Sequence, residues 1–225
     1  VKAVDGVTFN IKKGEIFALI GESGCGKTTT GRLIMKLEEL TSGQIIFKGA
    51  DTSTLSSSTE IKKYREEVQM VFQDPYASMN PRFRVRDVLY EPLIIHKKTK
   101  DSREMEKIAR KALEEVKLTP PEEFLDRFPH MLSGGQRQRV ATARTLVLSP
   151  DLIIADEPVS MIDLSTRAEI LHMMKEVQVN LNLTYLYITH DLSTARYFCD
   201  RIAVMYLGRI VELGTSDEII ENPLH

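Results

Sequence analysis

The run Gly21-Glu22-Ser23-Gly24-Cys25-Gly26-Lys27-Thr28 fits the pattern G-x-x-x-x-G-K-[ST] and is followed by Thr29. It lies between an unbroken apolar run, Ile16 to Ile20, and residues 27–37, where Leu33, Ile34 and Leu37 recur at helical spacing. A strand, a glycine-rich turn and a helix in that order is the setting in which this pattern holds phosphate. Glycines let consecutive backbone N–H groups turn toward phosphate oxygens, and the helix start adds the positive end of its dipole. Lys27 supplies a mobile cation for the β- and γ-phosphates, and the Thr28 hydroxyl is placed to ligand Mg²⁺. A glycine-rich turn that binds nothing is the competing reading, and the flanking strand and helix speak against it.

Working outward, the alternation Val7-Thr8-Phe9-Asn10-Ile11 and a Lys-Lys-Gly turn predict an edge hairpin leading into Ile16 to Ile20. A strand over residues 44–48, a Ser/Thr-rich loop over 51–59, a charged helix over 61–67 and a strand over 68–72 complete a mixed first half. From Gln73-Asp74-Pro75 to about Arg144 the periodicity is helical, with helices over 85–95 and 103–117 and a stop at Pro120-Pro121. The βα alternation then resumes with strands over 152–156 and 184–189, a helix over 164–179 between them, and strands over 201–206 and 209–213. Residues 1–74 and 144–225 are thus expected to form an α/β core lobe, and 75–143 a helical subdomain. Such an arrangement implies a mostly parallel sheet with its ligand at the carboxyl ends of the strands.

Composition narrows the function classes. The chain has 225 residues, 42% apolar and 28% charged, which suits a folded globular protein. Thirty Lys+Arg against 32 Asp+Glu leave a net charge of −2, which argues against nucleic acid as a partner. No apolar run approaches the roughly 20 residues needed to cross a bilayer, and the first residues lack a signal-peptide pattern. The two cysteines, Cys25 and Cys199, form no metal-ligand spacing and suit a reducing cytoplasm.

Leu152-Ile153-Ile154-Ala155-Asp156-Glu157 is an apolar strand ending in two carboxylates before Pro158. In a parallel sheet Asp156 emerges beside the phosphate loop, where it can hold a metal through water. Glu157, one residue on, points elsewhere and can act on an attacking water. Leu132-Ser133-Gly134-Gly135-Gln136 precedes an amphipathic helix over residues 136–148, so Ser133 can be its N-cap while the glycine N–H groups face an anion. Two phosphate-facing helix N-termini in one chain are unusual.

These residues resemble the ATP-binding cassette (ABC) family: GESGCGKT, Gln73 after a strand, LSGGQ, LIIADE, and His190 closing Tyr185-Leu186-Tyr187-Ile188-Thr189-His190, in the family's order over essentially the whole chain. The fold that this implies is α/β, a P-loop NTPase (RecA-like) core with a mostly parallel sheet, N-terminal antiparallel β strands and an inserted α-helical subdomain. The resemblance implies binding of ATP and Mg²⁺ and hydrolysis by two such domains set head to tail. Residues Gly21 to Thr29 cradle phosphate, Thr28, Gln73 and Asp156 attend the metal, Glu157 acts on water and His190 contacts the γ-phosphate. Ser133, Gly134, Gly135, Gln136 and Asp163 serve the composite nucleotide site across the pair.

Val71-Phe72-Gln73-Asp74-Pro75-Tyr76-Ala77-Ser78-Met79-Asn80-Pro81-Arg82, Phe128-Pro129-His130, and Val204-Met205-Tyr206-Leu207-Gly208-Arg209 are similar to the oligopeptide and dipeptide importer branch, and to the second of its two non-identical ATPase subunits. Its members read Ser-Ala-Leu-Asp where this chain has Ser160-Met161-Ile162-Asp163. The resemblance implies a sister ATPase subunit, two membrane-spanning permease subunits docking around Tyr76, Met79 and Phe83, an indirect link to an extracytoplasmic solute-binding protein, and a peripheral place on the cytoplasmic face of the cell membrane. It also suggests a chain trimmed at both ends, without the upstream aromatic that stacks on adenine. A soluble, non-transport ABC ATPase is the alternative; DNA-repair relatives insert long coiled coils between the Gln and LSGGQ motifs, and this chain has no room for them. A structural module with a dead site is a third, opposed by every catalytic position being filled.

Overall fold

The computed structural model describes residues 2–225 except Tyr76. Its main sheet has the order β4-β5-β6-β1-β7-β8. β1 (Ile16–Ile20), β5 (Leu152–Asp156) and β6 (Thr184–Thr189) are buried along their whole length. Continuous apolar runs of this kind belong to central parallel strands covered on both faces. β4 (Val68–Val71) and β7 (Arg201–Tyr206) extend the parallel set, and β8 (Arg209–Thr215) closes it antiparallel to β7, with a register shift at Val204/Met205. A separate ribbon pairs β2 (Ile46–Phe47) with β3 (Ala50–Asp51).

Residues 7–11 do not form the expected hairpin, since no ladder joins them to β1. Both edges of β1 are already taken, by β6 and β7. The alternation survives as packing: Val7, Phe9 and Ile11 are half-buried against the core, and Phe9 stacks on Phe17 at 5.1 Å.

Helix α1 (Lys27–Ile34) follows β1, and α2 (Ser58–Glu67) precedes β4 with a Ser57/Glu60 capping box. The helical unit consists of α3 (Val85–Ile95), α4 (Ser102–Glu115), the short α5 (Glu122–Leu125) and α6 (Gly134–Leu146). In α3 the buried residues Val85, Val88, Leu89, Pro92 and Leu93 form one stripe at helical spacing. α6 runs across the expected boundary between residues 143 and 144. Val85, Leu89 and Leu113 of the helical unit share one hydrophobic cluster with Ile16, Ile153 and Tyr187 of the sheet, so the two units have a continuous core. α7 (Leu164–Leu181), α8 (Leu192–Phe198) and α9 (Ser216–Glu221), which starts from a Thr215/Glu218 capping box, complete the chain.

Two tyrosines of β6 differ in a way that can be measured. Tyr185 and Tyr187 both pack edge-on against Phe198, at 6.0 and 5.0 Å. The Tyr187 hydroxyl donates to Thr194 Oγ1 at 3.2 Å, whereas the fully buried Tyr185 hydroxyl has no partner among the described residues. An unpartnered buried hydroxyl costs its desolvation, while a bonded one contributes about 1 kcal/mol net. Tyr185→Phe is therefore expected to raise the unfolding free energy by about 1 kcal/mol and Tyr187→Phe to lower it by about as much. Urea midpoints at constant m-value check both.

Candidate functional site

The loop after β1 requires its glycines for space and for backbone conformation. A Cβ on Gly21 would lie 2.1 Å from the Met205 carbonyl oxygen, and one on Gly26 would lie 2.3 Å from that of Ala3. Gly26 has φ +107°, a value that side-chain-bearing residues rarely adopt, and it is the N-cap of α1. The first turn of α1 carries no acidic residue, so its N–H groups and dipole remain uncompensated. Lys27, 5% exposed, donates from Nζ to the carbonyls of Gly21 at 2.7 Å and Glu22 at 2.8 Å. Gly21, Glu22, Ser23, Gly24, Gly26, Lys27, Thr28 and Thr29 line a cleft of about 770 Å³, within the usual size of a small-molecule site.

Three parallel strands deliver the remaining groups at one level. Ile20 of β1 faces Thr189 of β6, and Asp156 of β5 faces Ile188, so Gly21, His190 and Glu157 leave the sheet together. β6 stands between β1 and β5, yet the Thr28 hydroxyl still reaches Asp156 Oδ1 at 3.1 Å. Burial pushes the Asp156 carboxyl above its ordinary pKa, and the Thr28 hydrogen bond opposes that shift. The set suits Mg²⁺: a hydroxyl, a buried carboxylate and the Gln73 amide are hard oxygen donors. Magnesium typically takes one or two carboxylates, with waters and phosphates completing its shell.

Glu157 has φ +45°, in the left-handed region, which costs a side-chain-bearing residue about 1 kcal/mol. This turn places its carboxylate between two side chains. Gln73 Nε2 donates to Glu157 Oε2 at 3.1 Å, and His190 Nδ1 lies 2.9 Å from Oε1. Gln73, Glu157 and His190 also line the phosphate-loop cleft. The structure thus brings together residues that lie far apart in sequence.

Other predicted residues are placed differently. Cys25 points inward, is 4% exposed, joins the core cluster of Phe17 and Leu19, and does not line the cleft. Ser133 caps α6 as expected, with reciprocal bonds between its hydroxyl and Gln136 N–H and between Gln136 Oε1 and Ser133 N–H. Ser133, Gly134, Gly135 and Gln136 do not line the cleft, and neither does Asp163. Asp163 is the N-cap of α7, accepting from Thr166 N–H, Thr166 Oγ1 and Ser165 Oγ, which holds its pKa down at about 2. In the segment expected to dock a permease, Tyr76 lies outside the described residues. Met79 is 4% exposed, and the partly buried Phe83 packs against the same core.

Two arginines were not anticipated. Arg144 of α6 donates to the Ser78 carbonyl at 2.9 Å and to Glu91 at 2.7 Å, tying the segment after Gln73 to α6. Arg167 of α7 donates from Nε to the Ile162 carbonyl at 2.8 Å and from Nη2 to that of Ser160 at 3.3 Å.

The oligopeptide transport ATP-binding proteins OppF and AppF of Bacillus subtilis are 49% and 51% identical over all 225 residues, which cover 73% and 68% of those chains. The dipeptide transport ATP-binding protein DppF of Haemophilus influenzae is 48% identical over the same span, covering 68% of its length. An ATP-binding cassette solved as a dimer in a post-hydrolysis state with ADP and Pi superposes with a TM-score of 0.83 at 31% identity, over 95% of this chain and 90% of that one. CbiO1 from Clostridium perfringens, part of the ABC transporter complex cbiONQ, gives 0.87 at 31% identity, over 98% and 84%. Residues 4–160 match the family described as ABC transporter, and with relatives this close along its whole length, the chain belongs to that family.

Proposed function

We propose that the chain is the ATP-hydrolysing subunit of an importer for oligopeptides or dipeptides. The observation that carries the hydrolytic part is the Glu157 carboxylate, held between Gln73 and His190 at the phosphate-loop cleft. The solute class follows from the transport proteins to which the whole chain is similar.

Backbone N–H groups of the loop and Lys27 bind the phosphates of ATP. Glu157 orients the attacking water and takes its proton, while Gln73 and His190 fix the direction of its carboxylate. Thr28, Asp156 and Gln73 would hold Mg²⁺, which when bound neutralises charge on the β- and γ-phosphate oxygens. Ser133 to Gln136 lie outside the cleft of their own chain and start a capped helix, which suits a second phosphate site facing another subunit. The natural partner is a second ATPase subunit, a non-identical sister in this reading. Two permease subunits complete the assembly, linked indirectly to an extracytoplasmic solute-binding protein. Those permeases hold the chain at the cytoplasmic face of the membrane in this proposal; no helix among the described residues is long and apolar enough to cross a membrane.

Pairing tests the composite site. Glu157→Gln protein at saturating Mg-ATP is expected to sediment as a dimer, alone or mixed with the sister subunit, and as a monomer without nucleotide. Confirmed ATP binding with no ATP-dependent dimer in either sample would remove the composite site from the mechanism.

A further inference from the structure

Glu157 occupies an unfavourable backbone conformation, so neighbouring structure must hold it there. Its N–H is fixed by the Ile188 carbonyl at 2.8 Å. Its own carbonyl accepts from Ser160 N–H at 3.1 Å and from Ser160 Oγ at 3.0 Å, closing a tight turn. The far side of that turn is gripped by a single side chain. From the first turns of α7, the Arg167 guanidinium binds the carbonyls of Ser160 and Ile162 together. It also lines a small cavity of about 40 Å³ behind Glu157 and His190. A planar fork can hold two carbonyls at fixed angles; an ammonium on a flexible stem cannot hold both in the same way.

We infer that Arg167 is a positioning residue for hydrolysis, fixing Glu157 through the turn at Ser160. This rests on Glu157 being the group that acts on water. Arg167 makes none of the contacts that hold Lys27, Thr28 or Asp156 in place. Its loss therefore affects the chemical step and leaves ATP binding as it was. Small displacements of a catalytic group lower rates by about 10- to 100-fold.

The test measures steady-state ATP hydrolysis and ATP-dependent pairing in the full chain carrying Arg167→Ala or Arg167→Lys, each alone and combined with Glu157→Gln. Arg167→Ala is expected to lower kcat about 10- to 100-fold with KM for ATP and pairing unchanged. Arg167→Lys, able to reach one carbonyl, falls between. On the Glu157→Gln background neither change lowers the residual rate further, because the group being positioned is already disabled. If Arg167→Ala does not fold, Arg167→Lys carries the same comparison. The proposal is overturned by an unchanged kcat, by a raised KM or lost pairing, or by an equal proportional fall on both backgrounds. Unimpaired hydrolysis by Glu157→Gln alone overturns the assignment of Glu157, and Arg167 with it. An inactive Glu157→Gln beside a fully active Arg167→Ala overturns the positioning role only.

Discussion

Replacing Glu157 with Gln is expected to lower ATP turnover by about 10²- to 10⁴-fold while leaving nucleotide affinity unchanged, the range that a positioned general base contributes. The substitution keeps the volume and a carbonyl oxygen able to accept from Gln73, so the surrounding contacts can largely survive. What disappears is the negative charge beside His190 and the site that receives water's proton. The binding groups are separate: Lys27 is anchored on Gly21 and Glu22, and Thr28 on Asp156. Phosphate release measured beside equilibrium ATP binding separates the two effects. Turnover at the unmutated rate would show that the proton goes elsewhere.

Lys27→Ala reverses that pattern. Its ammonium is nearly buried and already placed among loop carbonyls, so it meets an arriving phosphate with little reorganisation. A charge-assisted hydrogen bond of about 1.5–3 kcal/mol corresponds to roughly 10- to 150-fold in ATP affinity. The carbonyls of Gly21 and Glu22 also lose their donor, which loosens the loop. Arginine is not expected to rescue binding, because its larger fork does not fit the pocket of a 5%-exposed lysine. Titration calorimetry with a non-hydrolysed ATP analogue reads the change; an unaltered dissociation constant would mean that the ammonium stays on its own loop when nucleotide binds.

The sequence showed most clearly what the backbone itself imposes. Gly21 and Gly26 stand where no Cβ fits, and β1 and the apolar stretches of β5 (152–155) and β6 (185–188) were legible because these strands are covered on both faces. Ser133 read as the N-cap of a helix, and the structure has it there, with Gln136 three residues later adding the reciprocal bond of a capping box. Side-chain direction within a loop has no such signature. Cys25 belongs to the phosphate-loop pattern yet turns into the core, and Met79 lies in a polar stretch yet is buried. Residues 7–11 kept their alternation but not their pairing, because period two reports which face is covered and not which strand lies alongside. Arg144 and Arg167 escaped notice for another reason. Among the described residues Arg167 binds only main-chain carbonyls, which every residue carries, and Arg144 pairs such a carbonyl with Glu91, 53 residues away on another helix, so no local pattern marks either in advance.

The continuity of α6 has a mechanical consequence. From Ser133 at its capped end to Arg144, latched to Ser78, the helix makes a stiff rod of about 16 Å at 1.5 Å per residue. Its far half is embedded in the core shared with the sheet, which serves as the fulcrum. A pull on the segment after Gln73 reaches the rod through Arg144, and a tilt of about 5° about Val140, where the helix enters the core, moves Ser133, about 10 Å away, by roughly 0.9 Å. A shift of that size stretches a hydrogen bond of about 2.9 Å past the limit of about 3.5 Å, so under the composite site proposed above a small angular change beside Gln73 alters the grip of Ser133 on a neighbour's nucleotide.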